Sequence, residues 1–196
     1  MTITLPALHR ATDYALRPVR GSRPARSATN ATRQPNNRTG DHWSIEIAPG
    51  ALSPSCARSL LADVVRGTGE PLRAYLPSKG LATGTVGYPL VAGADQIGGS
   101  LTTDGWTAGY FIPKGTMFNV MLDSAPSLHI TTADVVASDG TATIAFWPDL
   151  RDIPDDNTPL EFLAPFIEGL IDEGGDHEIG LTEAILVDGF VIEEDA

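Results

Sequence analysis

The sequence predicts a mainly β protein, an antiparallel barrel or sandwich with one short α-helix at about residues 53–66. Three observations lead there. Ser138-Asp139-Gly140-Thr141 joins two runs rich in Val, Ile, Thr and aromatic residues, and Asp-Gly supplies the positive φ angles that tight hairpin turns need. Candidate strands, broken by Gly or Pro, recur at the roughly 8–12-residue rhythm of small barrels and sandwiches. Gly and Pro number 20 and 15 of 196 residues, an excess that favours turns and short strands over long helices.

The totals narrow the class further. Apolar content of 42% with 19% charged residues is globular rather than disordered. The expected organisation is an N-terminal strand and basic arm or long loop over 1–40, then a β-barrel domain over 41–196 with an acidic C-terminal segment. No apolar run approaches the ~18 residues of a membrane span. The start, MTITLPALHR, lacks the basic segment and apolar core of a signal peptide, so synthesis in the cytoplasm and no membrane partner are expected. The single cysteine, Cys56, rules out an internal disulfide and a cysteine-rich metal site.

Each element has its own local reason. Tyr14 to Val19 reads as a strand, and residues 21–40 as a long hairpin loop or arm with almost nothing to bury. His42 to Ile47 alternates, with Trp43, Ile45 and Ile47 facing inward and Ser44 and Glu46 outward. Ser53 to Arg66 is the helix: Ser53 caps it, Pro54 fits the first turn, and Ala57, Leu60, Leu61 and Val64 form its apolar face. Gly67 stands where a helix ends at C′, and Cys56 reads as a small core or boundary residue. Leu72 to Leu76 is a strand. Gly98 to Trp106 reads as a short strand, an Asp104-Gly105 turn and a return, with Trp106 to Ile112 following. Met117 to Leu122 and Leu128 to Val136 then lead to the Asp-Gly hairpin, whose second run, Thr141 to Trp147, stops at Pro148. Beyond Asp156 come an extended Leu160–Ile167, a break at Gly174-Gly175, a final strand over Ile185–Ile192, and a frayed Glu193-Glu194-Asp195-Ala196.

The net charge of −12 hides an asymmetry. Residues 1–40 carry seven Arg against Asp13 alone, whereas residues 147–196 carry fifteen acids against Arg151. Such ends can pair within a subunit or between neighbours, or stay solvated. The arm has no interleaved aromatics for base stacking and the rest of the chain is acidic, so nucleic acid is not expected as a partner.

Catalytic patterns are missing. His9, His42, His129 and His177 show no metal-ligand spacing, and Asp176-His177-Glu178 reads as a solvated loop. Asp149, Asp152, Asp155, Asp156 and Asn157 lack the spaced oxygens, central Gly and distant Glu of a helix–loop–helix calcium site. No Gly-x-Ser-x-Gly elbow or Gly-Lys-Ser/Thr phosphate loop occurs. Trp106 and Tyr110 are the aromatics that would sit on a sugar platform. No catalytic, cofactor or metal residue is nominated.

Four segments together resemble distal tail proteins, the tail-tip (baseplate) components of long-tailed, non-contractile bacteriophages. They are the strand Asp41–Ile47 with its Trp, the Leu52-Ser53-Pro54 cap, the Gly-rich Val91–Leu101 leading to Gly105-Trp106, and the block from Ala133 through Asp139-Gly140 to Pro148-Asp149-Leu150-Arg151. The likeness covers residues 40–155. It departs at Gly115-Thr116, where such proteins often carry Gly-Asp. The resemblance implies a split β-barrel and a structural, non-enzymatic virion protein. It implies a homo-oligomeric ring, commonly six-fold, joining the tail tube protein to the tail hub protein. The candidate subunit-interface residues are then Arg20, Arg23, Arg26 and Arg33 on the basic side, with Asp149, Arg151, Asp152, Asp155 and Asp156 on the acidic side. The alternatives are a capsid decoration or tail-completion protein, and a carbohydrate-binding β domain.

Overall fold

Short apolar runs of alternating exposure, bounded by Gly and Pro, pair into sheets rather than wind into helices. The computed structural model describes residues 2–6, 13–21, 25–26, 33–34, 40–77, 85–174 and 189–194, with the backbone alone at 25–26, 33–34 and 172–174. In chain order the elements are β1 (Ile3–Thr4), β2 (Asp13–Val19), β3 (Ala25–Arg26), β4 (Arg33–Gln34), β5 (His42–Ala48), α1 (Pro54–Arg66), β6 (Leu72–Tyr75), β7 (Gly87–Val91) and β8 (Ser100–Trp106). They continue as β9 (Phe111–Ile112), β10 (Met117–Val120), β11 (Ser127–Thr131), β12 (Val135–Val136), β13 (Ala142–Trp147), β14 (Leu160–Glu161), β15 (Phe166–Gly174) and β16 (Phe190–Glu194). The protein is mainly β with one helix, as the sequence predicts.

Residues 41–196 are shared between two compact units. One comprises 1–17, 43–77 and 166–195, and the other 18–42 and 78–165.

The first unit is built on a six-stranded sheet in the order β1-β6-β15-β16-β5-β2. β1 and β6 run parallel, whereas β15 pairs antiparallel with β6 and β16, and β16 with β5. Its buried side chains include Ile45, Ile47, Leu72, Ile167, Phe190 and Ile192, with Ala57, Leu60 and Val64 from the helix. Ser53 caps α1 as predicted, its Oγ accepting from the Cys56 amide. Three details differ from expectation. Gly67 keeps a helical φ of −63° instead of turning left-handed, and is glycine because a Cβ there would collide with Leu72 and Ile171. Cys56 is exposed, because it sits in the first turn of α1 at the edge of the face that buries Ala57, Leu60 and Val64. Ser44 is buried, because β5 lies inside the sheet between β16 and β2.

The end of the described chain is not frayed either. Glu193 and Glu194 belong to β16, and buried Glu194 accepts a hydrogen bond from the Trp43 amide. At the other side of the sheet Arg73 pairs with Glu168 at 2.7 Å and lies 4.1 Å from the centre of the Phe166 ring, while Thr2 donates to the same carboxylate. The pair is largely shielded from water, where such contacts count for more than on an open surface.

The second unit is a nearly closed antiparallel barrel in the order β14-β10-β11-β13-β8-β7. Its two outer strands meet through the Leu90–Pro159 bridge, the Val91 amide donating to Thr158 and the Asn157 amide to Val91. Phe118 fills the interior, stacked on Phe162 at 4.7 Å and edge-on to Phe146 at 5.7 Å. Trp106 is buried and donates through Nε1 to Thr103. The Asp-Gly turn forms as predicted: Asp139 and Gly140 have φ of 49° and 80°, and the Thr141 amide donates to the Ser138 carbonyl. Next to that turn the arms part, β12 pairing with β9 and β13 with β8, and they meet again where β11 pairs antiparallel with β13, Ile130 opposite Trp147.

Asp104-Gly105 is a correction. It makes no turn; Ser100 to Trp106 is one strand. The positive φ of Gly105, 74°, serves a bulge in which the step from Gly87 to Leu90 faces the shorter step from Trp106 to Asp104. A Cβ on Gly105 would strike the Tyr88 carbonyl. The chain then turns at 107–110, so strand resumes only at Phe111.

Gly169 lies inside the first sheet, opposite Glu194, where a Cβ would run into the Glu193 backbone. Gly169→Ala is therefore expected to lower the unfolding free energy by about 1–3 kcal/mol in urea titrations. Gly69→Ala, with open space around it, is expected to stay within about 0.5 kcal/mol of the parent.

Candidate functional site

Of the basic residues picked out by sequence, Arg26 and Arg33 lie on a two-stranded hairpin. Arg20 is exposed just after β2. Past the Gly21 turn the chain folds back on itself, β3 pairing antiparallel with β4 so that Arg26 stands opposite Arg33 in register. Arg23 lies outside the described residues. Arg17, nearer the sheet, is already paired with Glu46.

Asp41 holds the base of this hairpin. One carboxylate oxygen accepts from the Gly21 amide at 3.0 Å, and the other accepts from the Trp147 indole at 3.3 Å. The hairpin is thus tied to the last residue of β13, where the acidic exit loop starts.

The exit loop is well organised for a charged segment. Asp149 sits over Gly99, and the Leu150 amide donates to the Gly98 carbonyl. Asp152 accepts from Ser124 at 2.7 Å, and Asp156 accepts from the Gly93 amide at 2.8 Å. Asn157, with φ of 64°, turns the chain into the bridge that closes the barrel. Between this loop and the 121–124 turn after β10 runs an open groove of about 790 Å³. Met121 and Ile153 supply apolar surface, and Asp123, Asp152, Asp155 and Asp156 line it together with Arg151. Four of the five acidic-side candidates, all except Asp149, therefore converge on one groove.

Inside the barrel, His129 is fully buried between Phe118 and Phe146. Its Nδ1 donates to the Pro148 carbonyl at 2.8 Å, which leaves Nε2 to accept from the Ser127 hydroxyl at 2.8 Å. Burial pushes its pKa down from 6.5 to about 3; the Pro148 carbonyl opposes this shift and the Arg151 charge adds to it. The neutral ring is a latch between β11 and the start of the exit loop. Sequence reasoning missed it. The signal was the alternation Ser127-x-His129-x-Thr131, which puts three polar side chains on one buried face of β11.

Trp106 and Tyr110 do not form a sugar platform. They stack on each other at 5.8 Å, with Trp106 buried against Phe162. Among the described residues, no group of three His, Cys, Asp or Glu side chains is placed to hold a metal ion, and no helix is long and apolar enough to cross a membrane. Asp176-His177-Glu178 lies outside the described residues, as do 185–188 of the predicted last strand and the terminal Asp195-Ala196.

Fold and site define a mainly β protein with a basic hairpin and a grooved, acidic barrel surface. No protein-family model and no curated protein matches the sequence.

Two outcomes follow from these contacts. The unfolded His129 binds a proton near pH 6.5, the folded one only near pH 3, so its share of stability is complete above about pH 6.5 and drains as pH falls towards 3. Urea titrations of parent and His129→Gln are expected to converge on acidification, by up to ~1.4 kcal/mol per pH unit. Asp41→Ala is expected to lose about 1–2 kcal/mol and to speed tryptic cleavage at Arg20, read by intact mass over time.

Proposed function

We propose that this chain is a structural, non-enzymatic protein of a phage tail tip. It forms a homo-oligomeric ring, commonly six-fold, that joins the tail tube to the hub, and it resides in the virion after synthesis in the host cytoplasm. The observation that carries this reading is the pairing of two unlike surfaces on one chain, an arginine-bearing hairpin and an acidic groove. A closed ring needs heterologous contacts of this kind, because each subunit presents one surface and receives the other. The mainly β architecture, the helix behind its Leu52-Ser53-Pro54 cap and the Asp-Gly hairpin leading to Pro148 are consistent with the family resemblance of residues 40–155. The Ser127–His129 pair is buried inside the barrel, out of reach of a substrate.

Native mass spectrometry of the purified protein tests the reading. A ring of 20.7 kDa chains, six in the commonest case, is expected. A chain that stays monomeric at every concentration contradicts it.

A further inference from the structure

Resting on the ring reading, the geometry points to the occupant of the groove: we propose that the groove between the 121–124 turn and the 151–159 loop receives the arginine-bearing hairpin, residues 20–38, of a second copy of this chain. The first argument is charge. Between residues 14 and 40 the chain carries six Arg and no acid. The groove answers with Asp123, Asp152, Asp155 and Asp156 against Arg151.

Shape is the second argument. Isolated ion pairs on an open surface contribute little. An arginine does better where its methylene stem lies on apolar surface while the guanidinium reaches a carboxylate. The groove supplies both, with Ile153 58% exposed and Met121 also in its lining. Its acids are also held in place, Asp152 by Ser124 and Asp156 by the Gly93 amide, so little order has to be gained on binding.

Length is the third. The twenty residues from Gly21 to Gly40, folded back on themselves, reach at most about 33 Å from the Asp41 anchor, enough to bridge to an adjacent subunit. Each copy then gives a hairpin and receives one, which is the head-to-tail contact that closes a ring.

The test is a mixing experiment read by native mass spectrometry, with circular dichroism confirming that each variant is folded. One variant reverses the groove, Asp152→Lys with Asp155→Lys; the other reverses the hairpin, Arg23→Glu with Arg26→Glu. Each variant alone should lose at least tenfold in assembly affinity. Mixed in equal amounts, every contact between unlike copies is attractive again, and assembly should return. Variants that assemble as the parent does overturn the groove proposal and leave the ring reading standing. Dissociation without recovery on mixing also overturns it, and means that the hairpin meets its own groove or another surface. A parent that never assembles overturns both. The parent itself gives a second readout: its assembly should weaken as salt rises and screens the contact, and salt-independent assembly overturns the proposal.

Discussion

An open sheet edge in water keeps its backbone amides and carbonyls hydrated and available to other chains. The barrel unit removes that edge by bringing β7 against the segment that follows the exit loop. Val91 donates to Thr158 and accepts from Asn157, and Leu90 bridges to Pro159. Most of the barrel surface follows from this closure. The exit loop leaves β13 at Trp147 and must return to that bridge. Asn157 takes a left-handed conformation to make the return, and Asp156 reaches across to the Gly93 amide. A run of aspartates that would otherwise be a solvated strap is thereby fixed at both ends.

Closure also dictates the interior. Once the barrel is shut, polar groups carried inward have no water and must satisfy one another. Thr103 accepts from Trp106 and donates to the Ala142 carbonyl. Ser127, His129 and Pro148 form a second chain, which ties the interior to the first residue of the exit loop. The loop is thus held from inside by His129, at its far end by Val91, and beside its start by Asp41. The groove surface owes its order to those three contacts together with the Ser124–Asp152 and Gly93–Asp156 hydrogen bonds, and not to its own acids, which repel one another.

Much of the fold was legible because local chemistry dictated it. Ser53-Pro54 starts a helix, Asp139-Gly140 turns, and Trp43-x-Ile45-x-Ile47 forms a buried strand face, each as its local pattern predicts. The misses share one cause: a local pattern has more than one tertiary use. Asp-Gly reads as a turn at 104–105 as it does at 139–140, yet the first is a bulge, because β7 supplies a partner for both sides of it. Gly67 looks like a left-handed cap, and its true constraint is the approach of Leu72 and Ile171. Glu193-Glu194 looks like a loose end, and pairing with β15 and β5 makes it strand. The acidic side of the site was legible as composition, since four aspartates between 149 and 156 are conspicuous. That three of them line one groove with the 121–124 turn was not, because this depends on the β10–β14 pairing across forty residues. His129 and Asp41 were invisible for the same reason, each being defined by a partner far along the chain.

Amide hydrogen exchange on the intact protein tests the closure most directly. The account predicts that the Val91 and Asn157 amides exchange as slowly as that of Ile144 in the middle of β13, opening only when the whole barrel unfolds. Exchange of Val91 and Asn157 at the rate of an unprotected loop, with Ile144 still protected, would show that the barrel does not close through the exit loop and would contradict the account.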